Sequence, residues 1–368
     1  LGNTNVWIGP QEDADEYEEI EALIEDSPLT QSEEVALGDK VVIQTMARTK
    51  TEDTKAIIRE INTYATEGAE IVRIAVFDDR DAEALETVVK GTSVPLVADI
   101  HFNHRYAIKA AQAGIAKIRI NPGNIGDLEK IREVTGICKE KNIPIRIGVN
   151  AGSLEKDLLK AYGRTAKAMV ESAKRHVKLL EDEGFYDIIL SLKASDVALT
   201  VDANMLAAAT FPYPLHIGIT EAGPAYQGTI KSAAGLGTLL YHGIGDTIRI
   251  SLSAGRLKEL KACKTLLASY GLYEAPTLVS CPTCGRLAYD MDALVSKVET
   301  YLDNNPTNLK IAVMGCAVNG PGEARDADIG IAGGKKEGLL FIDGEIVRKV
   351  PQDKLYDALI EAIENYQK

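Results

Sequence analysis

The sequence predicts an α/β chain, a (β/α)8 TIM-type barrel followed by a small α+β domain, and three observations carry that prediction. From Val41 onward, short β-branched runs alternate with amphipathic stretches of about 10 to 17 residues, the signature of βα units and a parallel sheet. Eight such units fit into about 230 residues, and no G-x-G-x-x-G follows the first strand, which favours a closed barrel over an open doubly wound sheet. After Tyr270 the rhythm changes.

The expected barrel strands are 41–45, 71–76, 96–100, 117–121, 145–149, 188–192, 215–219 and 247–251. Helical segments follow each at about 51–66, 80–90, 104–113, 127–141, 166–183, 197–209, 231–241 and 256–270. The second domain reads as a strand at 278–280, a helix near 290–302, a strand at 310–314, short strands near 328–332, 338–342 and 345–349, and a closing helix near 352–366. Gly and Pro in YGLYEAP, residues 270–276, mark the boundary. The expected organisation is an acidic segment over 1–40, the barrel over 41–272 and the small domain over 273–368.

Composition narrows the class. At 45% hydrophobic and 26% charged, the 368 residues can bury a substantial core in two domains. No run approaches the roughly 18 apolar residues of a membrane span, and there is no charged-then-apolar leader, so membrane and secretory readings are set aside. Five cysteines are too few and too odd a number for a disulfide scaffold, which leaves structural thiols or metal ligands in a reducing cytoplasm. The net charge of −13 argues against a nucleic-acid partner, but it is uneven: residues 1–39 hold twelve acids and no base, and the remaining 42 acids and 41 bases nearly cancel. That acidic stretch is either a solvated appendage or a docking arm for a basic partner.

In such a barrel, function collects at the C-terminal ends of the strands. Those ends present Arg73, then Asp99 and His101, Arg119 and Asn121, Arg146 and Asn150, Lys193, Glu221, and Arg249 with Ser251. Any one strand arginine reads as a structural ion pair or a rim residue. Five cations at one topological level read more simply as the receptor of a shared anion, because guanidinium forks match phosphate oxygens. The implied substrate is small and carries more than one phosphate charge. RINPGNIG (119–126) and GITEAGPAYQG (218–228) can offer backbone N–H groups to it or serve as ordinary turns. Glu221, just past a strand end, is either a counter-ion or a proton donor and acceptor.

The second domain carries Cys281 and Cys284 in C-P-T-C-G and Cys316 at the head of CAVNGPGEA (316–324). Cys138 and Cys263 lie in expected barrel helices, where a thiol acts as a small hydrophobe. A C-x-x-C dithiol gives Cys316 no role. Zinc calls for a fourth ligand, and neither a second C-x-x-C nor a His follows in this domain. A 4Fe-4S cluster also needs a fourth ligand, and Glu323, beyond a Gly-Pro-Gly bend, can fold back to serve.

CPTCGR (281–286) and GCAVNGPGEA (315–324), with VADIHF (97–102), RINPGNIG (119–126), IPIRIGVNAGSLEKD (143–157), SLKASDV (191–197), GITEAG (218–223) and GIGDTIRISLSA (243–254), resemble the bacterial 4-hydroxy-3-methylbut-2-enyl diphosphate synthases. The resemblance spans 41 to about 350 and keeps the family's motif order. It implies an iron-sulfur oxidoreductase that opens and reductively dehydroxylates 2-C-methyl-D-erythritol 2,4-cyclodiphosphate, with electrons from flavodoxin or ferredoxin. It implies Cys281, Cys284, Cys316 and a labile Glu323 as 4Fe-4S ligands. Arg73, Asp99, His101, Arg119, Arg146, Lys193 and Arg249 then bind the substrate, with Asn121, Asn150, Ser251 and Asn319 beside them, and Glu221 and Glu323 are catalytic. It further implies a cytoplasmic homodimer. Departures from the family pattern are TNVWIGP near the start, QTMA (44–47) after strand one and the pair Asn103-His104. Two rivals of other classes are a zinc-stabilised barrel lyase using Lys193 as a Schiff-base amine and an iron-sulfur carrier without enzymatic activity.

Overall fold

The computed structural model describes residues 40–366 except 126, 288, 306, 317–321 and 323. The acidic segment before Lys40, and the expected site residues Asn319 and Glu323, therefore lie outside the described residues.

Val42–Met46 (β1), Ile71–Ala75 (β2), Leu96–Asp99 (β3), Lys117–Ile120 (β4), Ile145–Asn150 (β5), Ile188–Lys193 (β6), His216–Ile217 (β7) and Thr247–Ile248 (β8) form one parallel sheet in the order β6-β5-β4-β3-β2-β1-β8-β7. A parallel bridge between Leu190 and Leu215, with the Leu190 N–H donating to the Pro214 carbonyl at 2.9 Å, brings its two edges together. The result is a nearly closed TIM-type barrel.

Residues paired across parallel strands share a face. One layer runs through Met46, Arg73, Val97 and Lys117, and the next through Ala75, Asp99, Arg119 and Arg146. This face is the interior, because Gln44 on β1 reaches Arg146 on β5, four strands away, at 3.0 Å. The alternate residues Ile43, Val72, Ile74, Ala98, Ile118, Ile145 and Ile147 are fully buried and face the helices. There they meet apolar stripes such as Ile57 and Ile61 on Thr54–Thr66, or Leu85 and Val88 on Asp79–Gly91. Each such side chain stabilises the fold by roughly 1.5–3 kcal/mol. The outer layer holds the barrel together, which frees the interior to be polar.

Strand-to-helix turns are set by capping. Asp53, Asp78, Asn103, Asp127, Thr165 and Asp196 each stand just before a helix and accept a hydrogen bond from a first-turn N–H. Each cap is worth about 1 kcal/mol and fixes where the preceding strand end releases its loop.

Several elements differ from expectation. β7 and β8 are two residues long, not five, because beyond Ile217 the chain passes under Lys193: a Cβ at Gly218 would lie 2.5 Å from Lys193 Nζ and 2.6 Å from the Arg249 carbonyl. The helix after β7 spans Ala225–Tyr241 and starts six residues early, directly after Pro224, whose fixed φ suits a helix entrance. Short helices at Pro122–Ile125 and Lys156–Tyr162 sit in stretches that read as loops.

Contacts divide the chain between Leu272 and Tyr273. The second unit is a five-stranded sheet of Thr277–Ser280 (β9), Lys310–Met314 (β10), Ile329–Ala332 (β11), Glu337–Ile342 (β12) and Glu345–Pro351 (β13), in the order β13-β12-β11-β10-β9. β9, β10 and β11 are parallel, and β12 and β13 add antiparallel strands. Helices Met291–Asn304 and Leu355–Asn365 supply Leu294, Val298, Leu302 and Leu359 to a core with Ile311, Val313, Ile329 and Ile331.

Candidate active site

At the C-terminal ends of the barrel strands, Asp99 sits 5% exposed among cations. Arg119 Nη1 donates to its Oδ1 at 3.1 Å, while Arg73 Nε stands 3.7 Å and His101 Nε2 3.5 Å from Oδ2. Burial pushes the Asp99 carboxyl up, but Arg73, His101 and Arg119 outweigh it and hold the group well below the ordinary carboxylate range. Met46 works as a soft spacer: its sulfur accepts from Arg73 Nη2 at 2.9 Å and lies 3.7 Å from Arg249 Nη1. Gly148 lets Arg119 cross its own backbone, since a Cβ there would lie 2.8 Å from Arg119 Nε and Nη2.

Arg146 is 2% exposed, and Gln44 is its one hydrogen-bond partner among the described residues. Burial depresses the Arg146 pKa far below the usual guanidinium value, and Arg73 and Arg119 add repulsion. Burial likewise lowers Arg249, to about 10, with Arg73 contributing. Lys193 is driven well below its ordinary value by burial and then by Arg146, Arg249, Arg73 and Arg119. Arg73, Arg119, Arg146, Lys193 and Arg249 thus crowd one another with Asp99 as their shared carboxylate. An uncompensated buried charge is costly, so this cage is built for an anion of high charge.

The other expected residues surround it. Asn121 caps its own turn, accepting from the Gly123 N–H at 3.1 Å. Asn150 pairs with Lys193 in the β5–β6 register, and Ser251 is half-buried just past β8. Glu221 is exposed and holds a left-handed φ of 53°, an unusual conformation for a residue with a side chain.

Sequence reasoning missed Gln44, Met46 and the Arg256–Glu259 pair. Arg256 Nε donates to the Met46 carbonyl at 3.1 Å and Nη1 to Glu259 Oε1 at 2.5 Å, tying the helix after β8 to β1. The two-residue spacing of Gln44 and Met46 on β1 was the available signal.

In the second unit, β9 and β10 are neighbours in parallel register, with Ser280 opposite Val313. Their C-terminal ends therefore release Cys281 and Cys316 side by side. The Gly315 N–H donates to Cys281 Sγ at 3.1 Å, and Cys284 and then Cys316 raise the pKa of the Arg286 guanidinium. Among the described residues none of the three cysteines is in a disulfide. Among the described residues no three His, Cys, Asp or Glu side chains converge closely enough to hold a single metal ion. Sulfurs at adjacent strand ends, one of them already accepting a backbone hydrogen bond, suit a thiolate-ligated iron-sulfur cluster, whose potential such bonds tune. Cys138 and Cys263 are buried in helices, and burial pushes both thiols up to about 12, which leaves them inert.

The GcpE TIM-barrel domain model matches residues 30–264, and the GcpE protein C-terminal domain model matches 277–365. The 4-hydroxy-3-methylbut-2-en-1-yl diphosphate synthase (flavodoxin) of Bacillus licheniformis is 56% identical over 329 residues, 89% of this chain and 89% of that protein. The enzymes of the same name from Exiguobacterium sibiricum and Bacillus subtilis are each 55% identical over 329 residues, 89% of this chain and 89% and 87% of theirs. Among the described residues, no helix is long and apolar enough to cross a membrane.

Proposed function

The chain belongs to the GcpE family of 4-hydroxy-3-methylbut-2-en-1-yl diphosphate synthases, and from that premise we propose how its residues divide the work. The barrel cage holds the diphosphate of 2-C-methyl-D-erythritol 2,4-cyclodiphosphate, and the thiols of the second domain, with Glu323, carry a 4Fe-4S cluster. The observation that carries this reading is the cage itself: five crowded cations around one carboxylate at the functional end of a barrel.

Arg73 is held by the Met46 sulfur and Arg119 by Asp99, so their geometry is set before the ligand arrives. Arg146, Lys193 and Arg249 add charge beside them, where low dielectric strengthens each contact with phosphate oxygen. Asn121, Asn150 and Ser251 are the neutral donors around the sugar carbons. The cluster, when bound, supplies electrons one at a time to the carbon–oxygen bond that breaks. Two electrons enter and one oxygen leaves as water, so the site must also deliver protons, and exposed Glu221 is the acid nearest solvent for that step. Flavodoxin, which the relatives' names specify, or ferredoxin is the electron donor, and the working form is a cytoplasmic homodimer.

Anaerobic protein given the cyclic diphosphate and reduced flavodoxin should form 4-hydroxy-3-methylbut-2-enyl diphosphate. Protein that carries about four irons per chain yet leaves the cyclic diphosphate intact would defeat the proposal.

A further inference from the structure

Barrel interiors of this class are normally filled by branched apolar residues. Here the lumen stays polar below the cage. At the N-terminal mouth a cavity of about 420 Å³ is lined by Lys117, Tyr186, Asp187, Tyr213, Asp246 and Thr247. Thr247 Oγ1 lies 2.7 Å from His216 Nδ1, and His216 is 1% exposed. One inward step above His216 stands Gly218, against which Lys193 Nζ packs. Along this column His216 Nε2, Gln44 Nε2, Arg146 Nε and Arg249 Nε are buried and have no hydrogen-bond partner among the described residues. A buried polar atom left so costs about 1–3 kcal/mol unless water satisfies it.

We propose that this column is a proton path, in which Thr247 and His216 relay protons from solvent at the N-terminal mouth to Lys193, behind the bound substrate. The inference rests on the reading of the cage as a diphosphate site. A diphosphate seated across the strand ends screens Lys193 from solvent on that side, so a proton reaches it from below. Water at the mouth gives a proton to Thr247 Oγ1 as that hydroxyl passes its own to His216 Nδ1. The ring then releases its Nε2 proton through water to the Lys193 amine. One proton enters and one is delivered, and the imidazole is left as the other neutral tautomer, which the reverse transfer restores when the ligand leaves and Lys193 gives its proton back.

The groups facing His216 support passage through neutral tautomers. Burial, then Lys193, Arg146, Arg73 and Lys117, holds its pKa well below the ordinary histidine value, so a full imidazolium is disfavoured. Lys117, lowered to about 8 by burial and Arg146, with Asp187 acting in the opposite sense, adds a group at the mouth that exchanges protons near neutral pH. Burial and the neighbouring cations lower the Lys193 pKa, and a bound diphosphate acts in the opposite sense, so binding favours proton uptake there.

Inorganic pyrophosphate is mixed rapidly with the full chain in lightly buffered solution containing a pH indicator, and its affinity is measured separately by calorimetry. Wild-type protein should take up about one proton per bound pyrophosphate, in step with binding. Thr247→Val, close in shape to threonine, and His216→Leu should keep the affinity and the amount of uptake, while uptake slows by roughly tenfold or more. Uptake at the wild-type rate in Thr247→Val would overturn the relay, as would binding without uptake in the wild type. Failure of the wild type to bind pyrophosphate would instead strike the diphosphate reading, and the inference would fall with it.

Discussion

Asp99→Asn separates what holds the cage from what the cage holds. The carboxylate is 5% exposed and neutralises Arg119 at 3.1 Å and Arg73 at 3.7 Å. Asparagine keeps the shape and removes the charge, leaving Arg73, Arg119 and Arg146 without their carboxylate, while Glu259 still faces Arg249. Removing one partner of a buried pair costs about 3–5 kcal/mol. At about 2–4 °C per kcal/mol for a unit of this size, the barrel transition should fall by roughly 10 °C in calorimetry of the full chain. Pyrophosphate at a hundred times the wild-type dissociation constant should return at least about 2.7 kcal/mol to the variant, most of the loss. Because the variant no longer has a carboxylate repelling the anion, it should also bind pyrophosphate more tightly than the wild type. An Asp99→Asn protein that melts with the wild type, or gains no more from pyrophosphate than the wild type does, would refute the assignment of Asp99 as the cage's counter-ion.

The remaining predictions concern the same cage and its rim. Since the folded Asp99 carboxyl titrates below its unfolded value, its stabilisation is complete above about pH 4 and is lost as pH falls further, so Asp99→Asn should flatten the acid limb of a stability–pH curve. Gly218→Ala drives a Cβ to 2.6 Å from the Arg249 carbonyl and should cost about 1–3 kcal/mol with weakened pyrophosphate binding, whereas Gly152→Ala, with nothing within 4 Å, should be near neutral in both measurements. Glu221→Gly relieves a φ of 53° and should raise stability by about 0.5–1 kcal/mol while turnover is lost, and Glu221→Gln should keep full iron content and also lose turnover; normal turnover in either removes Glu221 from the reaction.

What the sequence disclosed follows from how strongly each feature departs from its surroundings. Arg73, Arg119, Arg146 and Arg249 stand in Val- and Ile-rich strands, where a charge is conspicuous, although the register sets Arg73 one layer before Arg119 and Arg146. Gln44, Met46 and His216 are uncharged residues in similar strands, and nothing in a linear pattern separates a residue lining a polar lumen from one packed in a core. Their roles depend on partners about 27 to 203 positions away, such as Arg73 and Arg249 around the Met46 sulfur. The short β7 and β8 were overextended because LHIGI and TIRIS have full strand character, while their ladders end where Lys193 occupies the space above Gly218. The helix Pro122–Ile125 was hidden in Pro-Gly-Asn, a sequence with turn chemistry.

Crowded cations cost the free fold stability that a diphosphate turns into affinity, and Lys193→Met tests that trade most directly. Calorimetry should find the variant at least as stable as the wild type in the absence of ligand, because a buried, repelled amine is gone. Titration with the cyclic diphosphate should find binding weakened by roughly a hundredfold, about 2.7 kcal/mol. A variant that is destabilised yet binds the cyclic diphosphate as tightly as the wild type would contradict it.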